Sequence, residues 1–411
     1  MRVYGTDNAA RYLPAVNKAY AETAALEQVA ADRHVPTGFK PSDLAFWTPN
    51  NRYFHYPYAL HSVGLYKWGT TISNALTRTS KATRTLIGDS GGFQLGKNSE
   101  PFNYKLLTTG MSASEALRAW HEAEELRNWI LGFLTASCNL AMTIDVPLWS
   151  TLPREANSPF HQCSVDQLIK LNRQNLDYIE RTAQRPKSFR WLNVIHGLED
   201  ISTIDLWIDA VHEFRHGGWA LAGWAGIYGG ITKLLYTLKH LEKMGCFAEG
   251  NDWVHVLGVG TAEWAVYLSE IQRCLRQRYP DFVISFDNAT PLSQAGRFET
   301  MMLKPSLGDT IETWTIPQIS APQGLAYCTS SHPFSQDSEI GRDFSLAMLN
   351  PNDKPYAKNR FDQLSHLALA NHNVNVMLDA FERANYIATA MQSKLPYQIA
   401  DTLRLIRTEF V

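Results

Sequence analysis

From Thr85 to Phe286 the chain repeats one unit: a short apolar run that stops at Asp, Gly, His or Phe, then a longer amphipathic stretch. The runs predict strands at 85–89, 140–145, 190–196, 219–223, 254–258 and 282–286, with a further one at 43–47. Helical spacing fills the gaps at 112–136, 164–185, 203–216, 233–244 and 262–278. Strands separated by helices pair in parallel, because each crossover returns the chain to the same end of the sheet. Seven such strands and one of uncertain position predict a (β/α)8 TIM barrel over residues 1–300. Ahead of it, 15–32 is rich in Ala and Glu with helical spacing and leads into a Pro/Gly stretch at 36–41. Residues 301–411 differ: 300–335 lacks periodicity, 337–359 is polar and 363–391 is again helical. They predict an appended C-terminal subdomain and closing helices that pack on the barrel.

The barrel gives scattered residues one address. Asp89, Asp145, His196, Gly223, Gly260 and Asp287 all fall at or just past the expected C-terminal strand ends, where barrels of this kind gather their active groups. Carboxylates there bury poorly unless paired, although each alone could be a helix cap. The first lies in Asp89-Ser90-Gly91-Gly92-Phe93-Gln94, where a strand breaks into a glycine turn. Glycines let backbone approach a flat ligand, Phe93 offers a stacking face and Gln94 an amide. The competing reading is a strand-end turn with a capping Asp.

Composition bounds the partners. With 411 residues, 45% hydrophobic, the chain is long enough for one large barrel with a buried core. No run approaches the ~18 apolar residues of a membrane span, and residues 1–12 contain no signal-like apolar stretch, so neither membrane nor export is expected. Cys138, Cys163, Cys246, Cys274 and Cys328 are scattered and odd in number, which fits a reducing, cytoplasmic compartment. A net charge of −2 lacks the basic surplus of most nucleic-acid binders, so any phosphate-binding surface must be local. Lys81, Arg84 and Lys97 near the first motif, or Arg273, Arg276 and Arg278 on a helix, are the candidates; the alternative is a solvated helix face.

Several segments, in order, resemble the tRNA-guanine transglycosylase superfamily. The 89–94 hexapeptide matches its DSGG(F/Y)Q, and Thr143-Ile144-Asp145-Val146-Pro147 looks like the segment bearing its second base-reading Asp. Val194-Ile195-His196-Gly197 stands where the family has Val-Gln-Gly, and Trp219-Ala220-Leu221-Ala222-Gly223-Trp224-Ala225 is similar to its Tyr-Ala-Ile-Gly-Gly-Leu-Ala. Leu257-Gly258-Val259-Gly260-Thr261 matches Met-Gly-Val-Gly-Thr, and Phe286-Asp287-Asn288-Ala289-Thr290-Pro291 matches Phe-Asp-Cys-Val-Leu-Pro. The resemblance implies base exchange on a sugar. Asp287 would be the nucleophile and Asp89 the general acid and base. Asp145 would read a guanine-like base, Phe93 would stack on it, and Gly223 with Trp224 would offer backbone groups to its other edge. Ser90 would orient the first Asp, and Gly91, Gly92, Gln94, Gly197 and Gly260 would shape the pocket.

Three departures qualify the likeness. His196 replaces a Gln that both donates and accepts, which an imidazole does in one tautomer only. The family's Pro-Thr-Arg-Asn-Gly-Arg becomes Pro291-Leu292-Ser293-Gln294-Ala295-Gly296-Arg297, losing one arginine while Arg297 survives. The zinc-binding Cys-x-Cys-x-x-Cys cluster is missing; Cys328, His332 and His372, completed by His366, are the candidate ligands if zinc is bound at all. With no recognisable RNA module and an aromatic insert at 53–66, the chain looks more like the phage and bacterial branch that exchanges guanine for a 7-deazaguanine in DNA. That implies DNA, a free preQ0-like 7-deazaguanine base and no organic cofactor, in a bacterial or phage-infected cytoplasm. Tyr56 and Trp68 would support the distorted strand. Family members often pair through the zinc subdomain, which leaves a homodimer or a partner protein open. The alternatives are an enzyme acting on tRNA, a retaining glycosidase using Asp89 and Asp287, and a non-catalytic binding subunit.

Overall fold

The computed structural model of the protein describes residues 2–3, 8–183, 186, 188–352 and 361–410. Eight parallel strands curl into a nearly closed barrel with helices between them, as the sequence predicts. They are β1 (Arg11–Pro14), β2 (Tyr58–Ser62), β3 (Thr85–Asp89), β4 (Leu140–Met142), β5 (Arg190–Ile195), β6 (Gly217–Leu221), β7 (Trp253–Val256) and β8 (Val283–Asn288). Each strand neighbours the next in the chain, and β8 pairs with β1 in the register Asp287 to Leu13. The ring closes through a parallel bridge from Ala15, just past β1, to Leu60 in the middle of β2.

The strands expected from residue 85 onward are present, with ends shifted by a few residues. The strand expected at 43–47 is not. Pro41 opens a 3-10 turn, Pro41–Leu44, whose entry is fixed by Asp43 accepting from the Lys40 amide at 2.8 Å. The apolar character of Phe46 and Trp47 serves an aromatic cluster instead: Phe46 stacks on Phe54 at 5.5 Å and meets Trp47 edge-on at 5.0 Å. The barrel's first two strands lie elsewhere. One is only four residues long and ends in Pro14; the other sits within the 53–66 segment read as an aromatic insert.

Helices follow their caps. Ser112 with Glu115 and Ser164 with Gln167 form capping boxes that start Ala113–Glu122 and Val165–Thr182. Residues 184 and 185, which the expected helix included, lie outside the described residues. The helix expected over 112–136 breaks at Ala123. The buried Arg127 guanidinium takes the carbonyls of Trp120 and His121 at 2.8 and 3.0 Å, ending the first helix before Glu124–Ser137 begins. Of the 15–32 stretch only Lys18–Thr23 is α-helical. Among the described residues, no helix is long and apolar enough to cross a membrane.

Strand alternation divides the apolar residues between two cores. Leu13, Leu60, Ile87, Leu192, Val194, Ala220 and Val283 fill the barrel, while Trp191, Ile195, Val254, Ile284 and Phe286 face the helices. Full burial of each Val, Leu, Ile or Phe side chain among these stabilises by about 1.5–3 kcal/mol. At the N-terminal end Arg11 is wedged between the rings of Tyr58 and Trp253, 5.1 and 5.2 Å from their centres, and plugs the barrel. The Gln363–Ala390 helix covers the β8–β1 seam, where Phe381 meets Tyr12 at 5.0 Å and Phe286 at 5.5 Å. Asn373 on this helix accepts from the Met302 amide at 2.9 Å and donates to the Pro291 and Thr300 carbonyls. Asn371 donates to the Tyr20 hydroxyl at 2.8 Å.

Candidate active site

Parallel topology puts every C-terminal strand end at one mouth. Asp89 ends β3 and Asp287 is the penultimate residue of β8; Asp145, His196, Gly223 and Gly260 follow β4, β5, β6 and β7 within a few residues. Alternation aims the β8 carboxylate inward: Val283 lies in the interior cluster and Ile284 and Phe286 outside it, so Asp287 points into the barrel.

Three carboxylates converge there. Burial is the largest influence on Asp89 and raises its pKa from 3.8 to about 6. Hydrogen bonds from Ser62 and the Gly91 amide pull it down, the latter at 3.1 Å, while the charges of Asp145 and Asp287 push it up. Asp145 is buried, with Oδ1 accepting from Ser90 Oγ at 3.0 Å and Oδ2 facing His196 Nε2 at 2.7 Å. Asp287 keeps one oxygen anchored, Oδ1 receiving the Gly258 amide and His255 Nε2, each at 3.2 Å. Among the described residues no hydrogen bond reaches its Oδ2.

The glycine turn explains how β3 meets Asp145. Gly91 has φ +81°, which a side chain would strain, and it starts the short Gly92–Lys97 helix. A β-carbon on Gly92 would stand 2.5 Å from Asp145 Oδ2. Gly92→Ala is therefore expected to displace that carboxylate and weaken binding of a guanine-like base at least about tenfold, the scale of one lost hydrogen bond to a charge. Calorimetric titration of the free base checks this; unchanged affinity would place the base elsewhere.

The remaining expected residues divide. Phe93 is 58% exposed, its ring 5.5 Å from Trp149, with Lys97 Nζ 5.5 and 5.6 Å from the two ring centres. Trp224 is half-buried beneath Lys233 Nζ at 4.5 Å, and Tyr228 beside it is exposed. Gly197 and Gly223 touch where the β5 and β6 loops meet, a β-carbon on Gly223 falling 3.5 Å from the Gly197 carbonyl. Gly260 packs under the Asn288 amide. Gln94 turns aside: its amide packs on Gly64, and its buried oxygen has no partner among the described residues. Arg297 is exposed on the Thr290–Phe298 helix and lines a cleft of about 500 Å³ with Asn17, Ser293 and His366.

Several expectations are corrected. Tyr56 cannot support a strand at the mouth, since it is buried with its hydroxyl on the Tyr12 carbonyl at 2.5 Å, and Trp68 is half-buried against Tyr104. Lys81 and Arg84 precede β3 and are tied to the carbonyls of Thr135 and Ser137, so of that trio only Lys97 stands at the mouth. Arg273 and Arg278 are paired with Glu270 and Glu242.

The proposed zinc ligands do not form a set as they stand. His372 is buried with both ring nitrogens engaged, by Ser338 Oγ at 2.7 Å and the Met302 carbonyl at 2.9 Å, and burial lowers its pKa to about 4. His332 is exposed, Cys328 is half-buried near the Gly324 and Asn352 carbonyls, and His366 faces Glu299 at 3.2 Å. Among the described residues no group of three His, Cys, Asp or Glu could hold a metal ion.

His255 and Ser285, which stand behind Asp287, were not singled out from the sequence. The available signal was alternation, since Ser285 shares the parity of Asp287 and His255 that of Trp253. A cavity of about 860 Å³ lies at the plugged end of the barrel and contains none of the three carboxylates. A scan against protein-family models finds no match to this chain, and a search of curated proteins finds none either.

Proposed function

We propose that this chain exchanges guanine in DNA for a free 7-deazaguanine base through a covalent sugar intermediate on Asp287. The observation that carries the reading is one mouth holding two carboxylates in unlike settings. Asp89 is pushed up to about 6, and Asp287 has one oxygen fixed and one bare. Such a pair divides acid–base and nucleophilic work.

In the first half, Asp287 Oδ2 attacks C1′, the C1′–N9 bond breaks and Asp89 gives its proton to the departing base. In the second, Asp89 takes the N9 proton of the incoming base, N9 bonds to C1′ and Asp287 is released. The ordered motifs support this assignment, as does the fit of Asp145 to a guanine edge. A carboxylate has about four acceptor positions. Ser90 and His196 occupy one on each oxygen, leaving each oxygen free to accept from N1–H or the 2-amino group.

His196 thus serves the base through Asp145. His196→Leu is expected to raise the KM for the free base about 10- to 100-fold, whereas His196→Gln, which keeps an N–H donor, recovers most of it. An unchanged KM in the Leu variant would make the histidine purely structural.

DNA is favoured over tRNA by the rewritten 291–297 loop and the missing cysteine cluster. The exposed Phe93–Trp149–Lys97 ledge suits a strand whose base has left its stack. Incubation with guanine-containing duplex DNA, tRNA and labelled 7-deazaguanine tests this. Label in DNA is expected; label in tRNA alone would reassign the substrate, and label in neither would reject base exchange.

A further inference from the structure

Beneath Asp287, a line of polar groups runs down inside the barrel, and the mechanism above uses only its last contact, the one that fixes Asp287 Oδ1. Trp253 Nε1 donates to Ser285 Oγ at 2.7 Å, Ser285 Oγ meets His255 Nδ1 at 2.9 Å, and His255 Nε2 meets Asp287 Oδ1 at 3.2 Å. His255 and Ser285 are fully buried. Polar groups this deep among Val and Ile cost stability unless every donor finds an acceptor, so their proton arrangement is constrained.

One arrangement satisfies all four groups. An indole N–H only donates, and an ionised carboxylate only accepts. His255 Nε2 must then carry a proton. In a neutral imidazole Nδ1 is left as an acceptor, so the Ser285 hydroxyl donates to it while accepting from Trp253. A proton on Nδ1 would turn the Ser285 hydroxyl hydrogen away, and it has no other acceptor among the described residues.

We propose that His255 is a positioning residue for Asp287, locked by Ser285 and Trp253 as the neutral Nε2–H tautomer. With the Gly258 amide it holds Oδ1, so that Oδ2 faces the mouth in one orientation. The tautomer is set by the bond its other nitrogen makes. Holding a nucleophile in one geometry lowers the barrier without touching substrate. The kinetic consequence rests on Asp287 being the nucleophile; the tautomer does not.

Two measurements on the full chain separate these. In 15N-imidazole NMR, the signal that His255→Gln removes is expected to be a neutral Nε2–H tautomer at pH 7, with Ser285→Ala admitting the other tautomer. An imidazolium or an Nδ1–H tautomer in the unsubstituted protein overturns the proposal. In base exchange, His255→Leu is expected to lower kcat about 10- to 100-fold with the KM for the free base unchanged, the worth of a hydrogen bond to a charge. His255→Gln, whose amide restores an N–H, should recover most of that loss. A Leu variant as fast as the unsubstituted protein, or a Gln variant that folds yet recovers nothing, overturns it. If the unsubstituted protein exchanges no base, the reading of Asp287 fails while the NMR result still decides the tautomer.

Discussion

Asp287→Asn is expected to lower base exchange by about 10⁴-fold or more, the scale on which enzymes fall when a nucleophile is removed. The position of its donors makes the substitution specific. His255 Nε2–H and the Gly258 amide both point at Oδ1, so an Asn at 287 would turn its carbonyl to them and its NH2 toward the mouth. The reacting carbon would then meet a donor with no charge and no available electron pair. Both donors, the buried His255 among them, keep an acceptor, so the fold should be almost unaffected. Labelled-base incorporation, with thermal unfolding as the control, checks this. A variant that folds and exchanges within tenfold of the unsubstituted protein contradicts the nucleophile assignment.

Asp89→Asn is expected to lose activity and gain stability. Removing an acid–base group costs about 10²- to 10⁴-fold in rate. The stability gain follows from linkage. Between pH 3.8 and about 6 the folded protein holds a proton that the unfolded chain has released, so stability falls as pH rises through that window. Above pH 6 the full cost is present; below 3.8 it is absent. A shift of this size corresponds to about 3 kcal/mol at most, so the Asn variant should melt about 3 °C higher at pH 8 and gain nothing near pH 3.5. Adduct formation needs the proton on Asp89. In the unsubstituted protein it should quicken as pH falls from 8 toward 6 and then level, while the Asn variant stays flat. A flat profile in the unsubstituted protein would exclude Asp89 as the acid.

The mouth was legible in the sequence because a strand that stops at Asp or Gly is marked by its own chemistry. Asp89, Asp145 and Asp287 each interrupt an apolar run, and parallel topology then brings them together without further information. The first two strands were not legible. Arg11–Pro14 is too short to show a period, and Tyr58–Ser62 is surrounded by aromatics whose partners are spread over many elements. The 43–47 segment has the apolar content of a strand, but Pro41 and the Asp43 cap make it a turn. Partners of site residues were harder still. Nothing local indicates that Gln94 packs on Gly64, or that His196 turns to Asp145. The buried Asn371, His372 and Asn373 resemble ligands in a linear reading, yet each is held by segments far away in the chain. His255 could have been found by counting alternate residues along β7 and β8, once Asp287 was known to point inward.

Mass spectrometry of the protein denatured during turnover tests the central claim most directly. With guanine-containing DNA present and the incoming base withheld, digestion should yield a peptide carrying a deoxyribose-linked nucleotide on Asp287. The same adduct attached to Asp89 or Asp145, or turnover without any adduct, would contradict it.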